Sequence, residues 1–413
     1  MTNSDLTMEG PADRRAHAPM RAGPANAVGR FKVSVHRSME PLEAEWRLLD
    51  GLAVNSLHHA YDLCRSWAET HGSDLVLLRV TLDGELFLIL PLELNHGRLF
   101  RTARLIGTEH SNLNTGLFAS DASAVTTPDL AAMLDREIRL ALRGLADVVA
   151  LDKVPSTWRG GVSPFASLPG ATNPNPSYQL PLLGSIERTL AQINAKRRRK
   201  KMRISERRLA EMGGYEYVVA NTAEEASVLL DTFFRQKAAR FATLGLPDVF
   251  QETETQAFFH TLAARRSGDV KLMELNAIRL KGEHDGRIIA VAGLSRKADH
   301  VICQFGSIDD VLAGDASPGE LLFYKMIDRL AAEGVRLFDF GVGDQPYKRS
   351  WCTIETPLRD ILLPVTLAGH LASLRHRLVV WAKRMVKANK SVYARIQRTR
   401  RLRQSAISGK NAA

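Results

Sequence analysis

The stretch Phe338-Asp339-Phe340-Gly341-Val342-Gly343-Asp344-Gln345-Pro346-Tyr347-Lys348-Arg349-Ser350-Trp351 decides how the second half of this 413-residue chain is read. It begins as a strand, breaks at two glycines, and gathers Asp, Tyr, Lys, Arg and Trp within a few residues. Polar and aromatic groups concentrated at the C-terminal edge of a strand mark a site on α/β scaffolds. A plainer account also fits: a turn whose Tyr and Trp pack on the sheet while Lys and Arg face solvent. Upstream, Cys303-Gln304-Phe305-Gly306-Ser307 reads as a strand end, and Ser317-Pro318-Gly319-Glu320-Leu321-Leu322 opens a helix soon after it. Helix N-termini carry unpaired N–H groups and partial positive charge, so they hold phosphates. A small residue such as Gly319 lets the backbone approach an anion closely. Here too there is a plainer account, with Ser317 as N-cap and Pro318 at the first helical position.

Outward from these motifs, periodicity predicts strands over Val270 to Lys281, Arg287 to Ser295 and His300 to Ser307, with Asp285-Gly286 turning the first into the second. A helix from Pro318 to Glu333, a strand from Val335 to Phe340, a helical turn from Pro346 to Trp351 and a strand from Leu358 to Val365 follow. Upstream lie a helix from Ser185 to Met212, stopped at Gly213-Gly214, a strand from Tyr215 to Ala220, and helices over Ala223 to Leu244 and Glu252 to Ser267. This order makes a mixed sheet with helices on its faces, an α+β architecture. The first half is a weaker version of it. Phe31 to Val35 is a strand, helices cover Pro41 to Leu52 and Tyr61 to Thr70, and Leu75 to Leu82 and Glu85 to Leu94 form a hairpin around Asp83-Gly84. A helix over Asp129 to Leu145 and a strand over Val148 to Leu151 complete it. The expectation is two tandem copies of one fold, 30–180 and 181–368, joined through the Pro-, Ser-, Gly- and Asn-rich stretch Pro155 to Pro181. A disordered leader is expected over 1–29 and a basic helical tail over 369–413.

The apolar fraction of 45% allows two sizeable cores, and the net charge of +11 attracts anionic partners: nucleic acid, an acidic membrane surface or a polyphosphate cofactor. The three cysteines, Cys64, Cys303 and Cys352, lack metal-ligand spacing, so neither a disulfide framework nor a metal site is expected, and a reducing cytoplasm fits. The run Lys196-Arg197-Arg198-Arg199-Lys200-Lys201, followed by Arg203, Arg207 and Arg208, covers a whole helix circumference and reads as solvated. It is either a linker helix or a contact to the phosphates of a cofactor or tRNA. The segment Leu371 to Arg403 mixes Leu374, Leu378, Val379, Trp381, Val386 and Tyr393 with many cations. It fits a helix lying on anionic lipid at an inner membrane face, and equally a helix packed on the domain with a frayed tail.

The string from Phe338 to Trp351, preceded by Ser-Pro-Gly-Glu-Leu-Leu, resembles the GNAT-type domain of the CelD family of cellulose-biosynthesis proteins, itself related to the Fem-type peptidoglycan transferases. Gly107-Thr108-Glu109-His110-Ser111-Asn112-Leu113-Asn114 resembles that family's other recurring loop, and the similarity spans roughly Phe31 to Val365. The resemblance implies tandem GNAT folds and acyl transfer to an amine or hydroxyl of a sugar or envelope precursor. Acyl-CoA, acetyl-CoA in the simplest case, would lie where two parallel strands splay apart. It would run by Phe305, Gly306 and Ser307 and place its pyrophosphate at Ser317, Gly319 and Glu320, with Lys348 and Arg349 on phosphate or on an acidic acceptor. The usual Gln/Arg-x-x-Gly-x-Gly/Ala loop is reduced here to Gly314 and Gly319. Fem-type relatives lack that loop too and use aminoacyl-tRNA, so the donor stays open between acyl-CoA and tRNA. A non-catalytic partner of a polysaccharide synthase is the third reading.

Direct attack on a thioester needs a positioned acceptor, a polarised carbonyl and a proton for the leaving thiolate. Tyr347 is the candidate general acid, and Asp344 or Asp339 the candidate base or orienting group. Cys352 is a weaker candidate as a covalent nucleophile, with no histidine near it in sequence. Glu109, His110 and Asn112, with Trp351, are the candidates for an acceptor cleft between the halves, although such a loop also serves simply to satisfy its own polar groups.

Overall fold

Asp83 and Gly84, at φ +52° and +95°, turn Leu75–Leu82 back onto Glu85–His96, as a two-residue hairpin requires. This hairpin centres the first of two mixed sheets in the computed structural model, which describes residues 30–388 apart from 121 and 123–125. The leader at 1–29 and the tail beyond 388 lie outside the described residues. The first sheet runs Phe31–His36, Leu75–Leu82, Glu85–His96, Arg101–Leu105, Val148–Pro155, Leu358–Pro364 and Gly170–Thr172. The second runs Tyr215–Val219, Glu274–Leu280, Ile288–Lys297, His300–Ile308, Leu337–Val342, Ser177–Pro181 and Ile354–Thr356. Each has one parallel pair at the same place in its order: Arg101–Leu105 with Val148–Pro155, and His300–Ile308 with Leu337–Val342. The α+β, tandem arrangement is therefore present twice over.

The halves exchange strands. Ser177–Pro181 lies antiparallel to Leu337–Val342 in the second sheet, whereas Leu358–Pro364 lies antiparallel to Val148–Pro155 in the first. The expected boundary at 180/181 thus falls inside a strand of the second sheet, and segment 181–368 contains a strand of the first. The Pro-rich stretch read as a connection is built into both sheets. A strand's own residues state its periodicity but not its partner, which is why a linear reading divides the chain there.

Layers run helix, sheet, helices, sheet, helices. Trp46, Tyr61 and Trp67 from Glu43–Asp50 and Tyr61–His71 share one core with Phe233, Phe250, Phe258, Phe259 and Phe305 of the second half. Pro128–Ala141 covers the outer face of the first sheet, and Pro318–Ala332 that of the second. The helix expected over 185–212 breaks into Ile186–Leu190 and Ala195–Glu211, because Asn194 leaves helical geometry and accepts from Arg197 N. The final helix, Leu367–Ala388, packs on Val148–Pro155 and Leu358–Pro364.

Candidate active site

The parallel strands of the second sheet pair only through His300↔Leu337, Val301↔Phe338 and Ile302↔Asp339. Directly beyond, Cys303 pairs with Leu294 and Phe305 with Gly293, leaving Gln304 as an extra residue. Such a bulge bends the strand that carries it. On the other strand Gly341 and Gly343 adopt φ +73° and +124°. The two strands part at this point, at the site the sequence motifs flank.

Asp339, fully buried, stands at the apex. It accepts from Ser177 Oγ (3.1 Å), Gln179 Nε2 (3.2 Å) and the Gly341 amide (2.7 Å). These bonds fasten the exchanged strand and shape the turn, so Asp339 positions the site and has no open side from which to act as the base read from the sequence. Asp344 is placed elsewhere, bonded to Arg349 at 2.5 Å and to the Tyr178 hydroxyl at 3.1 Å. Lys348, almost wholly buried, donates to the carbonyls of Gly341 (3.0 Å) and Val342 (2.8 Å). Burial pushes its pKa down to about 8. It therefore caps the strand edge and is not placed as a surface phosphate ligand.

The first turns of Pro318–Ala332 pack beside the splay. Gly319 meets Ile308 so closely that a Cβ would lie 3.1 Å from its Cγ2. One turn further, Phe323 stacks on Tyr347 at 5.6 Å and packs on Phe340 at 4.8 Å. Tyr347 keeps 38% of its surface exposed, while the protein around its ring raises the phenol's pKa, so it stays protonated through the neutral range. Burial likewise raises the thiols of Cys303, to about 12, and Cys352, which disfavours thiolate chemistry at either. Ser317 sits at φ +52° and its hydroxyl does not cap the helix, contrary to the plainer account of this motif.

The cationic helix Ala195–Glu211 lies against the start of Pro318–Ala332. Glu320 accepts from Arg198 (2.5 Å), Lys201 (3.0 Å) and Trp351 Nε1 (3.1 Å), and the Arg198 guanidinium covers the Trp351 ring at 4.2 Å. Burial alone would raise the Glu320 pKa, but Arg198 and Lys201 outweigh it and hold the carboxyl below its ordinary value. Glu320 and Trp351 therefore clamp the basic helix, and Trp351, 1% exposed, is not open to an acceptor. Arg198 corrects the expectation of an entirely solvated helix, while Lys196, Arg197, Arg199, Lys200 and Arg203 remain exposed. Phe305 stacks on Phe233 at 4.0 Å in the shared core, Gly306 pairs with Ala292, and Ser307 Oγ donates to Gln236 Oε1 at 2.6 Å. Those three support the strand by packing, pairing and hydrogen bonding.

From the first half, the loop after Arg101–Leu105 reaches the splay. Asn112 Oδ1 accepts from the Val342 amide (3.1 Å) and its Nδ2 lies 3.5 Å from Gln304 Oε1, so it spans the parted strands. His58 Nε2 accepts from Asn112 N, and His59 Nδ1 from Gly116 N. Burial drives both histidines below their usual pKa, His59 to about 4, which keeps them neutral as acceptors. His110 packs among Trp67, Phe250 and Phe259 and is lowered by burial to about 4, while Glu109 is exposed and pairs with Arg104. Asn112 thus reaches the site, and Glu109 does not. Sequence reasoning missed His58, His59, Ser177 and Gln179. Ser177 and Gln179 share one face of a strand by alternation, but nothing local names Asp339 as their partner. A cleft of about 830 Å³ also opens between the halves near Lys297 and Val301, at the opposite end of His300–Ile308 from the splay.

Residues 196–349 match the model of the acetyltransferase (GNAT) domain family. Among solved structures, FemX shares the architecture with a TM-score of 0.57 at 13% identity, over 83% of this chain and 99% of FemX. A conserved protein from Bacteroides thetaiotaomicron VPI-5482 gives 0.50 at 12%, over 80% and 100%. A tandem GNAT protein from the clavulanic acid biosynthesis pathway gives 0.47 at 12%, over 81% and 99%. No curated protein matches the chain by sequence. The second half carries a GNAT domain, and the protein is a GNAT-fold acyltransferase.

Proposed function

We propose that the protein moves an acyl group from acyl-CoA to an amine or hydroxyl of a sugar or envelope-polysaccharide precursor, by direct attack on the thioester. The observation that carries this is the parting of the parallel strands beside the N-terminus of Pro318–Ala332, where Gly319 lies against Ile308 and Phe323 stacks on the partly exposed Tyr347. A helix N-terminus flanked by exposed Lys and Arg suits a pyrophosphate, and the apolar side chains beside it suit a pantetheine arm. Tyr347 is protonated and half-exposed, as a donor to the departing thiolate must be. The acceptor class rests on the likeness to CelD proteins.

The same exposed cationic helix favours a second reading, transfer from aminoacyl-tRNA, whose phosphates it would meet. Titration calorimetry with acetyl-CoA separates the two. The expected result is binding that falls about tenfold or more in Ser317→Asp, where a carboxylate replaces a hydroxyl at the helix start and opposes the pyrophosphate. Aspartate tolerates the positive φ of that position. If acetyl-CoA and longer acyl-CoAs do not bind while tRNA binds with strong salt dependence, the second reading replaces the first.

A further inference from the structure

We propose that the C-terminal helix Leu367–Ala388 seats the protein on an anionic lipid surface. Leu367, Leu371, Leu374, Leu378, Trp381 and Met385 are each more than half exposed. Their spacing of four, three, four, three and four residues keeps them within about 80° of arc on a helix of 3.6 residues per turn. The opposite side belongs to the fold. Ser373 and Val380 are buried there and Ala372 packs against Val148, Ala150 and Leu362. Gly369 sits so close to the Asp147 carbonyl that a Cβ would lie 1.8 Å from it. Thr366 Oγ1 donates to Asp147 Oδ1 at 2.9 Å and fixes the start of the helix. The helix is therefore held on the first sheet with its apolar stripe turned outward.

Charge identifies what covers the stripe. Residues 361–413 contain twelve Lys and Arg and no Asp or Glu. Arg375 and Arg377, both exposed, fall about 80° to either side of the stripe, where their stems lie along apolar surface and their heads reach an anionic layer. A second copy of the same helix would bring two all-cationic segments together without one compensating carboxylate, which like-charge repulsion opposes. Anionic lipid offers both the complementary charge and an apolar layer at the depth of the leucines, with Trp381 suited to the boundary between them. Among the described residues no helix is long and apolar enough to cross a membrane, so this one lies along the surface. The inference stands apart from the choice of acyl donor.

Flotation of the full chain with vesicles tests it. The chain should bind phosphatidylcholine vesicles carrying about one-third phosphatidylglycerol, release in about 0.5 M salt, and leave pure phosphatidylcholine vesicles unbound. Leu374→Gln with Leu378→Gln should lower partitioning about tenfold or more. Both positions face outward, so an unchanged melting temperature verifies that the fold is intact. Trp381 fluorescence, taken as the difference from Trp381→Phe, should shift to the blue on the anionic vesicles. The proposal falls if the wild-type chain ignores anionic vesicles at low salt. It also falls if the double variant binds as well as the wild type, because charge alone would then account for binding. A chain that sediments as a dimer, becomes monomeric in the double variant and binds no lipid would assign the stripe to a second copy instead.

Discussion

The two sheets open in the same place and are filled differently. In each, parallel pairing lasts three residues, Thr102↔Val148 to Arg104↔Ala150 in the first and His300↔Leu337 to Ile302↔Asp339 in the second. Beyond its pairs, the first sheet is closed by its own chain. Lys153 Nζ donates to the carbonyls of Thr108 (2.6 Å) and Ser111 (2.7 Å), and Asn114 bonds to Asp152 O and Lys153 O. The second has a bulge at Gln304, a helix N-terminus beside it, and Asn112 reaching across from the loop of the first half. Duplication supplies one architecture twice. The loop after the first splay satisfies its own parted strands, whereas Asn112 bridges those of the second.

This contrast can be broken experimentally. The largest effect is expected at Tyr347: Tyr347→Phe should lower kcat about 100-fold, equivalent to ~2.7 kcal/mol, with donor affinity nearly unchanged. Full turnover in that variant would remove the proposed acid from the second splay. Lys153→Met in the first splay should do the opposite. It leaves two carbonyls without their donor and should cost roughly 2 kcal/mol in urea unfolding, with kcat per folded molecule retained. A large loss of kcat with unchanged stability would mean that the first splay takes part in chemistry.

Acid comes next. His59 is lowered by burial to about 4, against about 6.5 when unfolded, so the unfolded chain binds the extra proton first. Its contribution to stability is complete above pH 6.5 and declines as pH falls toward 4. His58 and His110 are lowered by burial in the same direction. Stability should drop by roughly 1–2 kcal/mol per fully buried histidine between pH 7 and 5, and His59→Gln should flatten the melting-temperature profile in that window. A flat wild-type profile would show that these imidazoles do not hold the loop as acceptors. The smallest effect belongs to Asn112→Ala, about 1 kcal/mol for the lost bond to the Val342 amide, accompanied by a change in KM for the acceptor that Lys153→Met lacks.

Much of the fold was legible because periodicity and turn chemistry are local. Asp83-Gly84 and Gly213-Gly214 punctuate as their φ values demand, and the helix at Pro318 begins where Ser-Pro-Gly announces it. The site was half legible. The motif from Phe338 to Trp351 does border the splay, and Tyr347 is partly exposed there, stacked on Phe323. Its individual roles were not readable, since an aspartate next to glycines looks alike whether it faces a substrate or, as Asp339 does, a buried strand. Trp351 and Arg198 illustrate the same point: a guanidinium in a run of cations is solvated unless some other element brings it an aromatic face and a carboxylate.

What the sequence determined by itself is most of the helices, the hairpin and meander strands, their order, the duplication, and the cationic amphipathic character of the C-terminal helix, all of which follow from neighbours along the chain; the strands Arg101–Leu105 and Ser177–Pro181 were not among them. Only the tertiary structure decided which strand completes which sheet, that Ser177 and Gln179 close on Asp339, and that Asn112 crosses from one half to the other. It also decided that the leucines of Leu367–Ala388 face outward. Hydrogen-bond partners and burial are properties of pairs distant in sequence, and a pattern of three or four residues carries no information about what lies across the gap.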